Sequence, residues 1–485
     1  MNVALGYALL PWIIISSTAL VIMLFTAIKR DHRYTSLMTS LGLFIALIVQ
    51  IMQIGVVEQH HELFIIDGMT TLLSALLILV SLLLSFLLHP WLQNLNDPKE
   101  EYYMLFLLAT QGALVVCASS HFGSFFLGLE LMSLSLVPMV AYKDNDQIAL
   151  EAGIKYLILS AIASAFMLFA MAIIYFYSGT LDIREIINHF PRTANSSNII
   201  YSTAISLLLV GVAFKLSLAP CHLWVADLFE GAPLPTTALL ATLSKAAIFV
   251  VLIRLFSEGE WHNQTGVITI ISIIAAASML IGNFLALLQK NMLRLLAYSS
   301  IAHFGYILLA ILAIKPSLPL TSTTSLASEA AIYYLIAYLI TVVGTFAILT
   351  LLTNNKHSYP LTIDCLKGLF WVKPSYALAL VFLFLSLAGI PLTVGFVGKF
   401  YLTLAAVNGQ LWWLLAILVI GSIAGLFYYL RLILTMMEKQ TDSTLLINTS
   451  SSLTSHFILS FVIVMVIGLG VFPDGLAQVI VELVS

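Results

Sequence analysis

The sequence is poor in charge, in cysteine and in polar segments. Only 9% of its 485 residues are charged, whereas 61% are hydrophobic and the mean hydropathy is +1.05. A polar shell around a soluble core cannot be built from this composition, which predicts a chain that crosses a membrane many times. The formal net charge of −3 is small and dispersed, and it therefore gives no indication of a nucleic-acid partner.

Motifs that hold redox centres or nucleotides are also missing. The three cysteines, Cys117, Cys221 and Cys365, are far apart and form no C-x-x-C pair, which favours buried apolar cysteines over a disulfide, iron–sulfur or zinc site. There is no G-x-G-x-x-G, no P-loop and no membrane histidine pair with haem spacing. We therefore expect no cofactor and no metal on this chain, so its energy must come from an ion gradient or from a partner.

Long apolar runs fill most of the sequence. Runs of about twenty apolar residues are long enough to cross a membrane core, and about fourteen of them are found. They lie near 5–27, 35–56, 69–92, 102–119, 122–142, 148–177, 199–229, 235–257, 266–288, 292–314, 326–353, 374–408, 411–437 and 454–482. The start of the chain lacks the pattern of a cleaved signal, so the first run is predicted to be a retained span. The connections are short, which predicts one all-α membrane domain over 1–485.

Lysine and arginine are concentrated in every second predicted loop. Loops after odd-numbered helices contain Lys29, Arg30, Arg33, Lys99, Lys143, Lys290, Lys356, Lys367 and Lys373. Loops after even-numbered helices contain mainly Arg184, Arg192 and Lys315. Because short cytoplasmic loops carry the excess of these residues, the odd loops are predicted to be cytoplasmic and both termini to face the opposite side.

Two stretches interrupt the helical pattern at membrane depth, Phe214–His222 and Phe384–Thr393. Each contains Leu-Ser-Leu-Ala followed by a proline, which removes a backbone donor and breaks the helix. The breaks fall in the seventh and twelfth predicted helices, and this odd offset would invert the second copy relative to the first. The pattern is typical of transporters with inverted repeats and discontinuous helices, although a match this short also arises by chance.

Ionisable residues lie inside several apolar runs. A charge at bilayer depth costs from about 2.5 to above 10 kcal/mol, so residues retained there indicate the movement of ions or protons. Glu130 has no opposite charge within a helical turn, and Lys215, beside the first break, is its expected partner. In such a pair each charge favours the other, so a change in spacing or hydration alters the proton affinity of both groups. A static ion pair that fixes helix packing is the alternative.

Two further lysines are candidates for a proton relay. Lys245 is central in its predicted helix among small and hydroxyl side chains, and a buried lysine can exchange a proton near neutral pH. Snorkelling to the membrane interface is the alternative for Lys245. Lys399 follows the second break as Lys215 precedes the first, so an inverted repeat would place the two lysines alike.

Lys155, His222 and His303 are weaker candidates. Glu151 precedes Lys155 by four residues, so a simple ion pair on one helix explains Lys155 equally well. His222 follows Pro220, and His303 lies in an apolar run; either histidine could relay protons, because histidine titrates near neutrality. A structural, hydrogen-bonded histidine is the alternative for both.

Several motifs together resemble the antiporter-like subunits of respiratory complex I, and among these the subunit N branch, called subunit 2 in mitochondria. The motifs are His222-Leu223-Trp224, Asp227, Gly231-Ala232-Pro233, the stretch Leu-Ala-Thr-Leu-Ser-Lys at 240–245, and the segments 294–306 and 387–400. The similarity covers nearly the whole chain. It implies a subunit of a proton-translocating NADH:quinone oxidoreductase that transfers no electrons itself.

The resemblance also implies roles for individual residues. It assigns Glu130 and Lys215 to a modulating pair, Lys245 to the central relay and Lys399 to the exit-side relay. It implies two inverted five-helix repeats with discontinuous helices 7 and 12. The repeats would occupy 102–257 and 266–437, between three N-terminal helices in 1–95 and a C-terminal helix in 454–482. FMN, iron–sulfur clusters and quinone are expected in partner subunits, and a bacterial inner membrane is the expected location, with periplasmic termini.

Two positions depart from that family. Cys221 stands where a larger apolar residue is more common, and Leu293 replaces a lysine often found before Arg294. Lys290 lies three residues upstream of Leu293, which predicts nearly the same helical face, so its flexible stem could bring positive charge to the vacated place. The alternative is that Lys290 only marks the cytoplasmic side.

Two other functions stay open at this point. A subunit of a stand-alone multisubunit cation/proton antiporter would share the fold and need no redox partner. A structural spacer that seals other proton-pumping chains would not need the buried ionisable residues. Copurification of flavin and iron–sulfur subunits distinguishes a complex I subunit from an antiporter subunit.

Overall fold

Helices make up nearly all of the chain that the computed structural model describes. The described residues are 3–56, 59–93, 95, 98–143, 146–189, 199–258, 265–314, 322–353, 361–439 and 453–484. Arg192, Lys315 and Lys356, which entered the predicted orientation, lie outside these residues.

Among the described residues, the first half of the chain contains twelve helices and one small hairpin. The helices are α1 (Val3–Ala8), α2 (Leu10–Ile28), α3 (His32–Gln53), α4 (Gly68–Gln93), α5 (Glu100–Cys117), α6 (Phe122–Val140), α7 (Gln147–Ser178), α8 (Ile183–His189), α9 (Ile199–Lys215), α10 (Leu223–Gly231), α11 (Leu234–Ala241) and α12 (Leu243–Glu258). Between α3 and α4, strands β1 (Gln59–His60) and β2 (Ile65–Ile66) pair antiparallel, with Gln59 opposite Ile66.

The second half contains α13 (Thr265–Leu288), α14 (Met292–Ala313), α15 (Ser322–Leu352), α16 (Leu369–Val372), α17 (Pro374–Ala388), α18 (Val394–Asn408), α19 (Trp412–Met437), α20 (Leu453–Val471) and α21 (Asp474–Val484), with a 3-10 helix over Ile363–Leu366. Among the described residues, ten helices are long and apolar enough to cross a membrane, or eleven if the bent pair α20–α21 is one span. The predicted all-α membrane fold is confirmed, whereas the count of fourteen and the inverted repeats remain predictions.

Both predicted helix breaks are present. Helix α9 ends at Lys215 and α10 begins at Leu223, and helix α17 ends at Ala388 and α18 begins at Val394. At the second break Gly389 takes a left-handed φ of 83°, and its N–H donates to the carbonyls of Leu385 and Ser386. Glycine has no side chain to oppose this conformation, so it ends the helix.

Two other helix irregularities were not predicted. The run 235–257 forms one candidate span, Leu234–Ser257, but its helix is interrupted for one residue at Thr242, whose hydroxyl donates back to the carbonyl of Ala238 at 2.5 Å. Side-chain bonds of this kind compete with the helical ladder. The run 454–482, also expected to be one helix, bends by 82° between α20 and α21, where Pro473 cannot continue the helix.

The most buried helices lie at the centre of the bundle. Helix α14 and the described part of α15 are enclosed, whereas α2, α3, α7 and α19 each leave an apolar face exposed, as expected against lipid or a neighbouring subunit. Close packing places α13 against α14, where a Cβ on Gly282 would lie 2.7 Å from the backbone nitrogen of Ala302. The candidate site therefore lies on tightly held helices.

Candidate functional site

Glu130 and Lys215 form an ion pair between α6 and the end of α9. The Lys215 Nζ lies 3.9 Å from Glu130 Oε1, and the lysine is 6% exposed. The ammonium donates to the hydroxyls of Ser133 at 2.7 Å and Ser160 at 2.8 Å, while Ser164 donates to the carboxylate. These hydroxyls solvate both charges where water is scarce, so the pair can loosen without leaving either group bare.

Lys245 is almost completely enclosed, with 1% of its surface exposed. It lies in the first turn of α12, directly after the break at Thr242, and its Nζ donates to the Ser300 hydroxyl of α14 at 2.9 Å. The Phe304 ring centroid is 5.1 Å from the ammonium. Among the described residues no carboxylate lies within ion-pair distance, so a hydroxyl and an aromatic face are the groups that stabilise its charge.

Lys399 reaches from α18 to the broken end of α17. Its Nζ donates to the carbonyls of Ala388 at 2.8 Å and Leu387 at 3.2 Å, groups that the helix break leaves without intrahelical partners. The negative end of the α17 dipole also favours the ammonium. A Cβ on Gly389 would lie 2.7 Å from Lys399 Cδ, so the glycine also leaves room for the lysine stem.

His303 is held between two tyrosine hydroxyls. Its Nδ1 is 2.6 Å from the Tyr334 hydroxyl and its Nε2 is 3.2 Å from the Tyr429 hydroxyl, which in turn bonds to Ser299. The Tyr306 ring lies 5.8 Å from the imidazole and 5.5 Å from the Lys399 ammonium. Helix α14 therefore contacts Lys245 through Ser300 and lies near Lys399 through Tyr306.

Sequence reasoning did not identify the buried polar residues around His303. Besides Tyr334 and Tyr429, Asn283 donates to the Tyr306 hydroxyl at 2.7 Å and accepts from the Tyr428 hydroxyl at 3.2 Å. Tyrosines are common in the apolar helices of ordinary protein cores, so the sequence pattern did not distinguish these tyrosines as functional residues. Asn283 is an amide within an apolar run of α13, and that anomaly could have indicated this cluster.

A second ion network joins α7, α10 and α14. Lys155 pairs with Glu151 of the same helix at 2.7 Å, which is the ion pair considered above as the alternative to a relay role. Lys155 also pairs with Asp227 at 2.9 Å. Arg294 bonds Asp227 at 3.0 Å and Glu230 at 2.6 Å. Both carboxylates lie on the short helix α10, so basic residues of two neighbouring helices fix it. Asp227 was noted only as part of a family motif, and this network was not predicted.

His222 and Lys290 lie apart from the buried lysines. His222 precedes α10, with its ring 6.5 Å from that of Tyr298 and no hydrogen bond to a buried lysine in the described part of the chain. The predicted shared helical face of Lys290 and Leu293 is wrong, because Asn291 caps α14 and the helix begins only at Met292. Lys290 is exposed in the preceding link, and Leu293 is fully buried.

No cofactor-type cluster accompanies these residues. Within the described ranges no three histidine, cysteine or acidic side chains converge as metal ligands, and Cys117, Cys221 and Cys365 are free thiols. The groups that the site offers are ammonium, carboxylate, imidazole and hydroxyl, which exchange or carry protons.

The discontinuous helices and buried lysines define an antiporter-like membrane protein. The chain belongs to the family described as NADH:quinone oxidoreductase/Mrp antiporter, TM, which matches residues 119–425. It is 47% identical over 477 residues to NADH-quinone oxidoreductase subunit N of Shewanella woodyi, covering 98% of this chain and 99% of that relative. The resemblance to the antiporter-like subunits of complex I is thereby confirmed.

Solved structures share the fold. The chain matches one in respiratory complex I from Thermus thermophilus with bound aureothin, with a TM-score of 0.81, 27% identity and coverage of 96% and 98% of the two chains. It also matches one in the Mrp complex of Dietzia sp. DQ12-45-1b, with a TM-score of 0.84, 19% identity and coverage of 99% and 97%. At 19% identity the second likeness concerns the fold alone.

Proposed function

We propose that this chain is the N-type, proton-translocating membrane subunit of an NADH:quinone oxidoreductase. The near-complete coverage at 47% identity supports the assignment to this enzyme. The chain contributes proton transfer, while quinone reduction takes place in other subunits.

The observation that carries this proposal is the joining of Lys245 to the polar residues of α14. The lysine bonds Ser300, and one turn further on His303 contacts Tyr334 and Tyr429, near Lys399. Hydroxyl and imidazole groups at hydrogen-bond distance are the groups through which a proton moves between buried bases. A spacer would have no need to bury two lysines that, within the described part of the chain, have no carboxylate partner.

The Glu130–Lys215 pair modulates this relay. A change in the spacing of the pair alters the proton affinity of both groups and the field at the bases beyond it. Quinone reduction elsewhere changes that spacing, Lys245 then exchanges its proton, and Lys399 acts as the exit-side relay. The network of Lys155, Asp227 and Arg294 holds α10, which follows directly on the break next to Lys215.

The partners follow from the same assignment. FMN, iron–sulfur clusters and the quinone site are held by other membrane and peripheral subunits, and none of these groups is bound by this chain. The chain is a multi-pass protein of a bacterial inner membrane with both termini on the periplasmic side. Residues 102–257 and 266–437 form two inverted repeats, between three N-terminal helices in 1–95 and the C-terminal segment 454–482.

Purification followed by transport assays tests the proposal. A tagged chain isolated in mild detergent is expected to copurify with flavin and iron–sulfur subunits, and vesicles containing the assembly are expected to acidify when NADH and a quinone are supplied. Sodium/proton exchange by an assembly that contains no flavin would instead identify a stand-alone antiporter subunit. The Mrp structure shares only the fold, so no observation favours that second candidate.

A further inference from the structure

Basic side chains are grouped where α13 and α19 end and α17 begins. This basic corner consists of Lys367, Lys373, Arg431 and Lys439. Arg431 fixes the corner, because its guanidinium donates to the carbonyls of Leu287 at 3.0 Å and Gln289 at 2.8 Å at the end of α13. The three helix ends therefore lie on one side of the membrane.

The corner lies at the level of a membrane interface. Helix α19 has 26 residues, so it is about 39 Å long and spans a bilayer core. Trp412 and Trp413 mark its first end, being 60% and 50% exposed. Trp371 marks the other end: it is 59% exposed and its indole donates to the carbonyl of Met437 at 3.0 Å. Exposed tryptophans at both ends are typical of headgroup depth.

Only part of the positive charge in this corner is neutralised. Lys367 pairs with Asp364 at 2.8 Å and lies 3.7 Å from Glu438. Lys373 and Lys439 have no carboxylate within ion-pair distance among the described residues. Their ammonium groups instead lie over aromatic rings, 5.5 Å from Tyr376 and 5.6 Å from Trp371. The Lys439 ammonium thus lies beside an exposed indole, and the Lys373 ammonium lies beside the ring of Tyr376.

Apolar surface adjoins these ammonium groups on the membrane side. Leu378 of α17 is 47% exposed and Leu434 of α19 is 62% exposed. Leu378 follows Lys373 by five residues and Leu434 precedes Lys439 by five, so each leucine lies about one turn further into the bilayer than that lysine. Val372, beside Trp371, is 49% exposed. Positive headgroup contacts with alkyl contacts directly beneath them match the two parts of a phospholipid.

We propose that the basic corner binds one anionic phospholipid, with its phosphate at Lys373 and Lys439 and its acyl chains against Leu378 and Leu434. Two ammonium groups that have no carboxylate partner among the described residues favour a lipid with net negative charge over a zwitterionic one. The site is independent of the proton relay, because none of its residues contacts Lys245 or Lys399.

Photolabelling of the whole assembly tests this site. The probe is photoactivatable phosphatidylglycerol, a minor component of phosphatidylcholine vesicles that contain the complex. We expect labelling of peptides from 369–378 and 434–439. We expect it to fall about 25-fold in Lys373→Gln/Lys439→Gln, because each basic residue near the surface contributes roughly fivefold to anionic-lipid binding. Lys29→Gln/Arg33→Gln removes the same charge from exposed residues at the junction of α2 and α3 and is expected to leave the labelling unchanged.

Other arms distinguish the remaining occupants. Lys373→Arg/Lys439→Arg keeps the charge and is expected to keep the label, and excess inorganic phosphate is expected not to displace it. If the glutamine variant does not assemble, photoactivatable phosphatidylcholine in the unchanged complex replaces it, and equal labelling by both lipids would refute the proposal. Unchanged labelling in the glutamine variant, displacement by phosphate, or an amine cross-link from Lys439 to another subunit that shields the corner would also refute it.

Discussion

The ammonium of Lys245 lies 2.9 Å from the hydroxyl oxygen of Ser300, which itself donates to the carbonyl of Ala297. Ser300 thus connects a lysine of α12 to α14, the helix that carries His303 one turn later. In this geometry a buried charge is stabilised by a neutral group that can also pass a proton. A carboxylate in the place of Ser300 would hold the ammonium more tightly and make proton release harder.

The Ser300 hydroxyl is therefore a point at which the relay can be weakened. Ser300→Ala is expected to lower NADH-driven proton translocation about tenfold, since a hydrogen bond to a charged group contributes roughly 1.5–3 kcal/mol. Ser244→Ala is the matched control. Ser244 directly precedes Lys245 in α12, and within the described residues its hydroxyl donates to the carbonyl of Leu240 and not to a group of the relay. Equal translocation rates in the two assembled variants would show that Ser300 only packs α14 against α12.

The negative charge of the Glu130–Lys215 pair can be removed without changing the size of the side chain. Glu130→Gln keeps the size of the side chain and the bond from Ser164 but leaves a buried ammonium without its counter-charge, which costs about 3–5 kcal/mol. We expect assembled complex with a clear loss of both quinone reduction and pumping. Glu62→Gln, in the exposed loop between β1 and β2, is the control for charge, and normal activity of Glu130→Gln would reduce the pair to a static strut.

Gly389 allows a test of how precisely Lys399 is held. Gly389→Ala forces a Cβ into a left-handed conformation and against Lys399 Cδ, 2.7 Å away. Gly179 has a similar φ of 74°, and among the described residues no atom lies within 4 Å of an added Cβ, so Gly179→Ala carries the same backbone strain, about 1 kcal/mol, without the contact. Proton pumping is expected to fall in the first variant only. A similar fall in both would assign the effect to backbone strain and not to the lysine.

Tyr429 links Ser299 to His303, and its hydroxyl can be removed without changing the ring. Tyr429→Phe is expected to slow pumping severalfold while the ratio of subunits in the purified complex stays normal, because proton transfer to or from His303 loses a partner. Tyr333→Phe removes another buried tyrosine hydroxyl, which bonds the carbonyl of Leu469, and serves as the control. Pumping by Tyr429→Phe at the rate of this control would place His303 among the structural histidines.

Local chemistry made part of this architecture predictable. Proline and glycine end α9 and α17 through the backbone alone, and isolated charges in apolar runs show themselves because burial is expensive. The break at Thr242 has neither proline nor glycine. The local bond from the Thr242 hydroxyl is accompanied there by a tertiary bond from the Tyr338 hydroxyl to the carbonyl of Ala241, which the sequence does not reveal. The cluster around His303 depends on side chains from four helices, α13, α14, α15 and α19, which periodicity along one helix cannot bring together.

The helix start at Asn291 shows a signal that was available and unused. Asparagine is a favoured N-cap, and here it accepts from the N–H of Leu293 at 2.9 Å. Recognising that cap would have placed Lys290 outside α14 and removed the expectation that it shares a face with Leu293. The pairing of Glu130 with Lys215 could be proposed because each residue is a charge without a local partner.

Substitution of Lys245 tests the central claim most directly. Lysine can release its proton, whereas arginine keeps its charge but does not deprotonate, so a relay fails with arginine and an electrostatic strut survives. The measurement is the number of protons translocated per electron in vesicles, for assembled complexes carrying Lys245→Arg, Lys245→Ala or the control Lys29→Arg. A positioned proton-transfer group contributes about 100-fold or more to the rate of proton transfer. We therefore predict that complexes with Lys245→Arg and with Lys245→Ala both translocate fewer protons per electron than the unchanged complex. An unchanged number of protons per electron in Lys245→Arg would contradict the relay, because a fixed positive charge at this position would then be sufficient for pumping.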